Sequence, residues 1–369
     1  MEIRMDIQKI LSQLEQVNAT ISMFADGYVD EVWELVSSRQ SMCEYAAINK
    51  KRQLAERIMM SGTGGMAIEI VKKRRTIGGF TANIGFATAK LGVDTILIGF
   101  YGKESIDSLY EPLNNISSLI SLGDPAVTHA LEFNDGKILL THLEAVSNVQ
   151  WSHIVDALGI EEIVSILTNS DVIGVGYWSS MLAFDDMLAE IYALLPQDNK
   201  SRLFFFDFAD FRKRDMNSLA ITLQKFKSLN EKCPIILSVN EHEGAVLFQQ
   251  YNETFDELGG TIPQKAESVR EKLGIAELVI HTPYFAIVSS CTDGVAMVPQ
   301  RYCEKPFRTA GAGDSFNGGY LAAKLAGLEV SERLYLANET VSYFLHHGNP
   351  PSQRELVDWC LPATRGTAG

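Results

Sequence analysis

Residues 308–320 read R-T-A-G-A-G-D-S-F-N-G-G-Y. Gly311, Ala312 and Gly313 leave the backbone nearly bare, Asp314 follows at once, and a run of helical character extends from Ser315 to Leu328. Small residues running into a helix leave several N–H groups unpaired at its positive end, which makes an anion site. A carboxylate beside such a site can take a proton from a hydroxyl while the site holds a phosphoryl group. That is the minimum equipment of a small-molecule kinase. The same residues would also serve as a tight strand-to-helix turn with small side chains for close packing. Taken alone, G-A-G-D leaves both readings open.

Outward from this stretch, short apolar runs alternate with amphipathic ones. Residues 21–24, 95–100, 172–175, 203–206, 235–239, 278–280 and 286–288 read as buried strands. Helical spacing covers 80–91, 154–167, 181–195, 216–229 and 265–273. This alternation predicts an α/β fold, a parallel sheet with helices on both faces. No internal repeat or low-complexity linker breaks the pattern, so one domain spanning 1–369 is expected, with two excursions. The first, roughly 31–75, contains a predicted strand over 32–36, a helix over 49–60 and the alternating A-I-E-I-V-K-K-R. The second, roughly 128–147, contains A-L-E-F-N-D-G-K-I-L-L-T-H, in which Asn134-Asp135-Gly136 between apolar runs signals a hairpin. The basic run Lys72-Lys73-Arg74-Arg75 reads as a solvated strand face, with attraction of phosphate as the alternative.

Bulk properties narrow the function classes. A hydrophobic share of 46% with 21% charged residues is ordinary globular composition, enough for a sizeable core. The net charge of −14 argues against nucleic acid or an anionic membrane as a main partner, because the long-range field repels both. A nucleotide needs only a local pocket and is not excluded. The N-terminus has no signal-like apolar core; Ile7, Ile10, Leu11, Leu14 and Val17 repeat at helical spacing and predict a docked surface helix. No apolar run approaches the ~20 residues that span a bilayer. Five scattered cysteines without a C-x-x-C read as reduced thiols of a cytoplasmic protein.

Thr309 through Asp314 resembles the D-T-x-G-A-G-D signature of the pfkB-type carbohydrate kinases, the ribokinase-like family, with Arg308 where the first Asp stands. Four other places match that family in order and approximate spacing. Met23 to Asp30 leads from an apolar strand into acidic residues where the family grips sugar hydroxyls; Asp30 aligns best and Asp26 is its rival. Gly78, Gly79 and Asn83 match G-G-x-x-x-N. Asp207-Phe208-Ala209-Asp210-Phe211-Arg212 is similar to the strand-end D-x-x-D-x-R, with Arg212 as a candidate anion contact. Asn240 and Glu243 match N-x-x-E, and they also read as a helix cap with acidic first-turn residues. His242 between them receives no role.

The resemblance implies a ribokinase-like three-layer α/β/α fold with a central, mostly parallel sheet. The two excursions would build a small β-lid over the sugar, and a homodimer through that lid is allowed. It implies transfer of the γ-phosphoryl group of ATP to a hydroxyl of a sugar or polyol. Asp314 would be the general base, and the N–H groups of Gly311, Ala312 and Gly313 would form the anion hole. Asp30, Gly78, Gly79 and Asn83 would bind the acceptor, while Asn240, Glu243, Thr282 and Thr309 would serve the nucleotide. Mg²⁺ would be organised by Asn240 and Glu243 through water rather than bound directly. A nucleoside kinase of the same fold, or a sugar-binding relative without catalysis, remains as an alternative. Two departures stand out. Arg308 brings a fixed positive charge to a region where relatives bind a monovalent cation, so K⁺ activation is not expected. Pro283 and Tyr284 follow Thr282 where relatives have T-x-G, so Tyr284 is expected to reshape the adenine or phosphate pocket.

Overall fold

The computed structural model describes residues 6–196, 198, 200–256 and 261–361. Fourteen strands are described: β1 (Thr20–Phe24), β2 (Tyr28–Arg39), β3 (Tyr45–Ala47), β4 (Ile70–Gly78), β5 (Asp94–Gly99), β6 (Ser118–Ser121), β7 (Ala126–Phe133), β8 (Gly136–His142), β9 (Val172–Val175), β10 (Leu203–Asp207), β11 (Ile235–Asn240), β12 (Glu277–His281), β13 (Phe285–Ser290) and β14 (Gly294–Pro299). Nine form one sheet in the order β14-β13-β12-β11-β10-β9-β1-β5-β6. From β6 to β12 every pairing is parallel; β13 and β14 add an antiparallel edge.

Alternation along these strands separates two apolar layers. Phe24, Ile98, Phe204, Phe206 and Leu237 pack on one face with the helices Phe184–Leu194, Met216–Lys232 and Ile262–Leu273. Met23, Leu97, Phe205, Ile236 and Val279 pack on the other with Phe80–Lys90, Ala312–Leu325 and Val330–His347. Three layers result, and the apolar runs read as strands are the middle one. The N-terminal helix Ile7–Leu14 docks on the second layer through Ile10, Leu11 and Leu14. Among the described residues no helix is long and apolar enough to cross a membrane.

The excursions supply a second sheet. β2 leaves β1 after only three residues and lies between β4 (antiparallel) and β7 (parallel), while β3 pairs with its far half and β8 with β7. This sheet starts slightly earlier than the sequence indicated, at Tyr28 and Ala126. The added helix, Lys51–Met60, packs on it through Leu54, with Leu35, Ile48 and Phe133.

Three helix readings need correction. The span 154–167 is two helices, Trp151–Leu158 and Ile160–Asn169, because Gly159 adopts φ +74° between them. The helix expected over 181–195 begins at Phe184. The helix expected from Ser315 to Leu328 spans Ala312–Leu325, which places Asp314 inside its first turn.

Candidate active site

The loop before the Ala312 helix turns at Gly311, whose φ is +86°. A Cβ there would be strained by the positive φ and would crowd Arg308 Nη2 at 3.0 Å and Asn83 Nδ2 at 3.2 Å, which favours glycine. Ala312 gives its N–H to the Thr309 carbonyl at 3.1 Å. It therefore closes the turn, and only Gly311 and Gly313 of the expected trio keep N–H groups without an acceptor among the described residues.

Asp314 is buried and doubly held. Asn83 Nδ2 donates to Oδ2 at 2.8 Å and the Tyr177 hydroxyl donates to Oδ1 at 2.7 Å. Burial pushes the carboxyl up to about 6, against the two donors and the nearby Arg308 guanidinium, which favour the charged form. Asn83 was expected to face the acceptor; here one of its two amide N–H groups is given to Asp314. Tyr177, just beyond β9, carries no motif and escaped the sequence reading.

Asp26 and Asp30 separate by environment. Asp26 is fully buried and accepts from the N–H groups of Phe80 and Thr81, both at 2.8 Å, fastening the start of the Phe80 helix. Gly79 precedes that helix at φ +93°, where a Cβ would meet Tyr28 at 2.7 Å. Asp30 instead opens into a cavity of about 220 Å³ between the two sheets. Its neighbours are Gly78, where a Cβ would lie 3.0 Å from Asp30 Oδ2, together with Thr128, Arg308 and Lys137. Burial raises its carboxyl, opposed by Arg308 and Lys137.

A larger cavity of about 440 Å³ lies across the Ala312 helix start, with Asn240, His281, Thr282, Tyr302, Gly313 and Phe316 in its lining. Thr309 lines both cavities. Asn240 and Glu243 form a reciprocal cap. Asn240 Oδ1 accepts from the N–H of His242 (2.9 Å) and Glu243 (3.1 Å), and the Glu243 carboxylate accepts from Asn240 N (2.9 Å) and Nδ2 (2.6 Å). Burial pushes Glu243 up to about 7. Asp207, at the end of β10, is raised well above the usual carboxylate range by burial and by the charges of Glu243 and Asp314. Three buried carboxylates thus face one region. Among the described residues no three acidic, His or Cys side chains are close enough to ligate a metal directly. His281 lies against Phe316 and burial lowers it to about 4, so it is neutral.

Two expectations change. The Thr282 hydroxyl accepts from the N–H of Tyr284 and Phe285, and this turn sends Tyr284 outward. Tyr284 is 55% exposed and stacks on Tyr302 at 5.3 Å; Tyr302, not Tyr284, lines the cavity. Arg212 is bound to Asp210 through two contacts of 2.7 and 2.9 Å and lines neither cavity, whereas its neighbour Lys213 does. Arg308 donates to the carbonyls of Ala310 (2.6 Å) and Ile77 (3.3 Å), rests 5.2 Å from the Phe344 ring centre and lines the smaller cavity. The basic run is mostly the solvated face: Lys72 pairs with Glu31, Lys73 with Glu34 and Arg75 with Asp107.

A three-layer α/β body, two adjoining cavities and a buried carboxylate at a glycine-rich helix start define a carbohydrate kinase of the pfkB type. The chain belongs to the prokaryotic ketohexokinase family, whose model matches residues 6–360. It is similar to the ketohexokinase of Haloferax volcanii, 26% identical over 338 residues, covering 90% of this chain and 88% of that protein. The fold is shared with a ribokinase from Thermotoga maritima (16% identity, TM-score 0.60, 93% of this chain and 99% of that one). It is shared equally with an adenosine kinase from Sinorhizobium meliloti (15%, 0.63, 93% and 98%), so the fold does not choose between sugar and nucleoside. The family does: the chain is an ATP-dependent sugar kinase.

Proposed function

We propose that this kinase transfers the γ-phosphoryl group of ATP to a hydroxyl of a ketohexose. The observation that carries this reading is Asp314, fixed by two donors, one of them the Tyr177 hydroxyl from the wall of the smaller cavity, and directly following Gly313 in the wall of the larger. The larger cavity takes the nucleotide, with its phosphates toward the Ala312 helix start. The smaller takes the acceptor, whose vicinal hydroxyls suit the two oxygens of Asp30. Asp314 removes the acceptor proton as the oxygen attacks. The free N–H groups of Gly311 and Gly313 and the Arg308 charge then stabilise the transferring phosphoryl group. The second sheet excludes water, the competing acceptor.

The chemistry of the donor set fits Mg²⁺ bound with the nucleotide. Burial raises the proton affinity of Asp207 and Glu243, and the charge of Asp314 raises both further, so negative charge gathers beside the glycine-rich helix start. Asn240 and Glu243 would hold the ion through water, and the ion would offset phosphate charge.

A nucleoside acceptor would need an apolar slot for its base. The smaller cavity has apolar wall residues such as Val32, Leu139 and Leu143, but its polar groups Asp30, Glu132, Thr128, Thr141 and Ser180 come from several segments and suit a polyol. Steady-state ATP turnover with ketohexoses, aldohexoses and nucleosides tests the reading. Ketohexoses should give the highest kcat/KM; a nucleoside preferred over every sugar would overturn it.

A further inference from the structure

Tyr302 enters the wall of the larger cavity from the segment that joins β14 to the glycine-rich loop. Its ring stacks on Tyr284, with centres 5.3 Å apart and planes 16° from parallel. Tyr284 is pinned through its main chain: its N–H donates to the Thr282 hydroxyl at 3.1 Å, and its carbonyl accepts from Gln300 N at 2.7 Å. Tyr302 is thus braced on one face, yet 55% of its surface stays exposed, so flat aromatic area is left for a ligand. Pro283, Pro306, Val341 and Leu345 add apolar wall to the same cavity.

The polar side chains of that wall divide in two. The short ones are engaged or lie at the phosphate end. The Asn240 amide oxygen and one of its N–H groups serve the cap with Glu243, and the Thr282 hydroxyl holds its turn. His281 lies against Gly313 and Phe316, and Thr309 belongs to the glycine-rich loop. The others, Glu241, His242, Gln300, Arg301 and Glu304, make no side-chain hydrogen bond or ion pair among the described residues, so their ends are free to turn. Telling one purine from the other requires groups fixed in advance. Adenine presents an amino donor beside a ring-nitrogen acceptor, and guanine a carbonyl acceptor beside a ring N–H. A side chain free to turn fits either edge, the Gln300 amide above all, since it carries both donor and acceptor. An aromatic platform takes any base, because every base has a π-face.

We infer that the nucleotide base is held by stacking on Tyr302, braced by Tyr284, and that this kinase takes adenine and guanine nucleotides alike as phosphoryl donors. The inference rests on the reading of this cavity as the nucleotide site. With GTP the transfer is the same. The acceptor hydroxyl oxygen forms a bond to the γ-phosphorus, the bond to the β–γ bridging oxygen breaks, GDP leaves, and the hydroxyl proton passes to Asp314.

Isothermal titration calorimetry of the wild-type protein with the Mg²⁺ complexes of ADP and GDP tests this without any acceptor. The two dissociation constants should lie within about tenfold of each other. Tyr302→Ala should weaken both by more than about threefold, with about tenfold the usual return of base–aromatic stacking, while Tyr302→Phe keeps the platform and should leave both within about threefold of the parent. ADP bound more than about tenfold tighter than GDP overturns the inference, as does an ADP affinity that Tyr302→Ala changes by less than about threefold. Gly313→Ala, whose Cβ would crowd His281 at 3.1 Å, separates the two readings. If it weakens ADP while Tyr302→Ala does not, the cavity remains the nucleotide site and only the stacking falls. If neither variant weakens ADP, both readings fall.

Discussion

At the scale of single residues, the proposed reaction depends on how Asp314 is held. Asp314→Asn keeps the shape but cannot take the proton, so kcat should fall by ~10²–10⁴ with acceptor KM changed little. Activity within about twofold of the parent would remove Asp314 from the role. Because the proposed base must be ionised and its carboxyl sits at about 6, kcat/KM should decline as pH drops through that value. Tyr177→Phe removes a donor that favours the charged form, so the same limb should move to higher pH. A pH profile superimposable on the parent's would show that the phenol does not act on the base. The place of Asp314, in the first turn of a helix behind a glycine-rich loop, was legible from its small-residue stretch. Tyr177 was not, since no local pattern marks a tyrosine 137 positions away that only the sheet order brings to the base. Arg308 was legible as an anomaly, and its contacts sharpen the consequence. Its guanidinium takes the Ala310 and Ile77 carbonyls, which a monovalent cation would otherwise be free to use. Turnover should therefore be insensitive to exchanging K⁺ for a bulky organic cation at constant ionic strength. Several-fold activation by K⁺ would contradict this.

Elements place these side chains, and the Phe80–Lys90 helix does so most directly. Its first turn carries Asn83, and its start is fastened by Asp26. Asp26→Ala would leave two buried N–H groups without acceptors, costing about 2–4 kcal/mol in urea unfolding. Asp30→Ala should leave stability nearly unchanged and raise acceptor KM much more than ATP KM. Equal stability losses in the two variants would mean that Asp30 also holds the fold. Distance from the preceding strand had favoured Asp30 without saying what Asp26 does, because a carboxylate capping a helix 54 positions away leaves no local trace. The central strands were legible because burial on both faces makes them continuous apolar runs. β6 and β14 were not, being sheet-edge strands with partly exposed, mixed sequences such as Ser118–Ser121. The break at Gly159 was hidden because the apolar spacing runs through it on both sides.

For the whole molecule, the buried acids couple stability to pH. Asp26 and Glu243 titrate at about 7 and Asp314 at about 6, and Asp207 lies well above its ordinary range. All four hold protons more tightly folded than unfolded. Their contribution is complete below about 4, where both states are protonated, and is lost as pH rises through 6 to 7. Asp198 and Glu355 run oppositely: both are lowered to about 2 by their hydrogen-bond donors, so their contribution is lost only as pH falls below about 4. The net charge of −14 adds self-repulsion that also weakens toward pH 5. The protein without ligands should consequently have a higher Tm at pH 5.5 than at pH 8, by a few degrees. Mg²⁺ with a non-hydrolysable ATP analogue should narrow that gap, because a divalent cation beside Asp207, Glu243 and Asp314 relieves the repulsion that grows at high pH. Scanning calorimetry at the two pH values, with and without the ligand pair, measures both effects. A Tm that rises from pH 5.5 to 8 without ligands would mean that these carboxylates are ionised in the fold. Ligand stabilisation larger at pH 5.5 than at 8 would place the cation away from them.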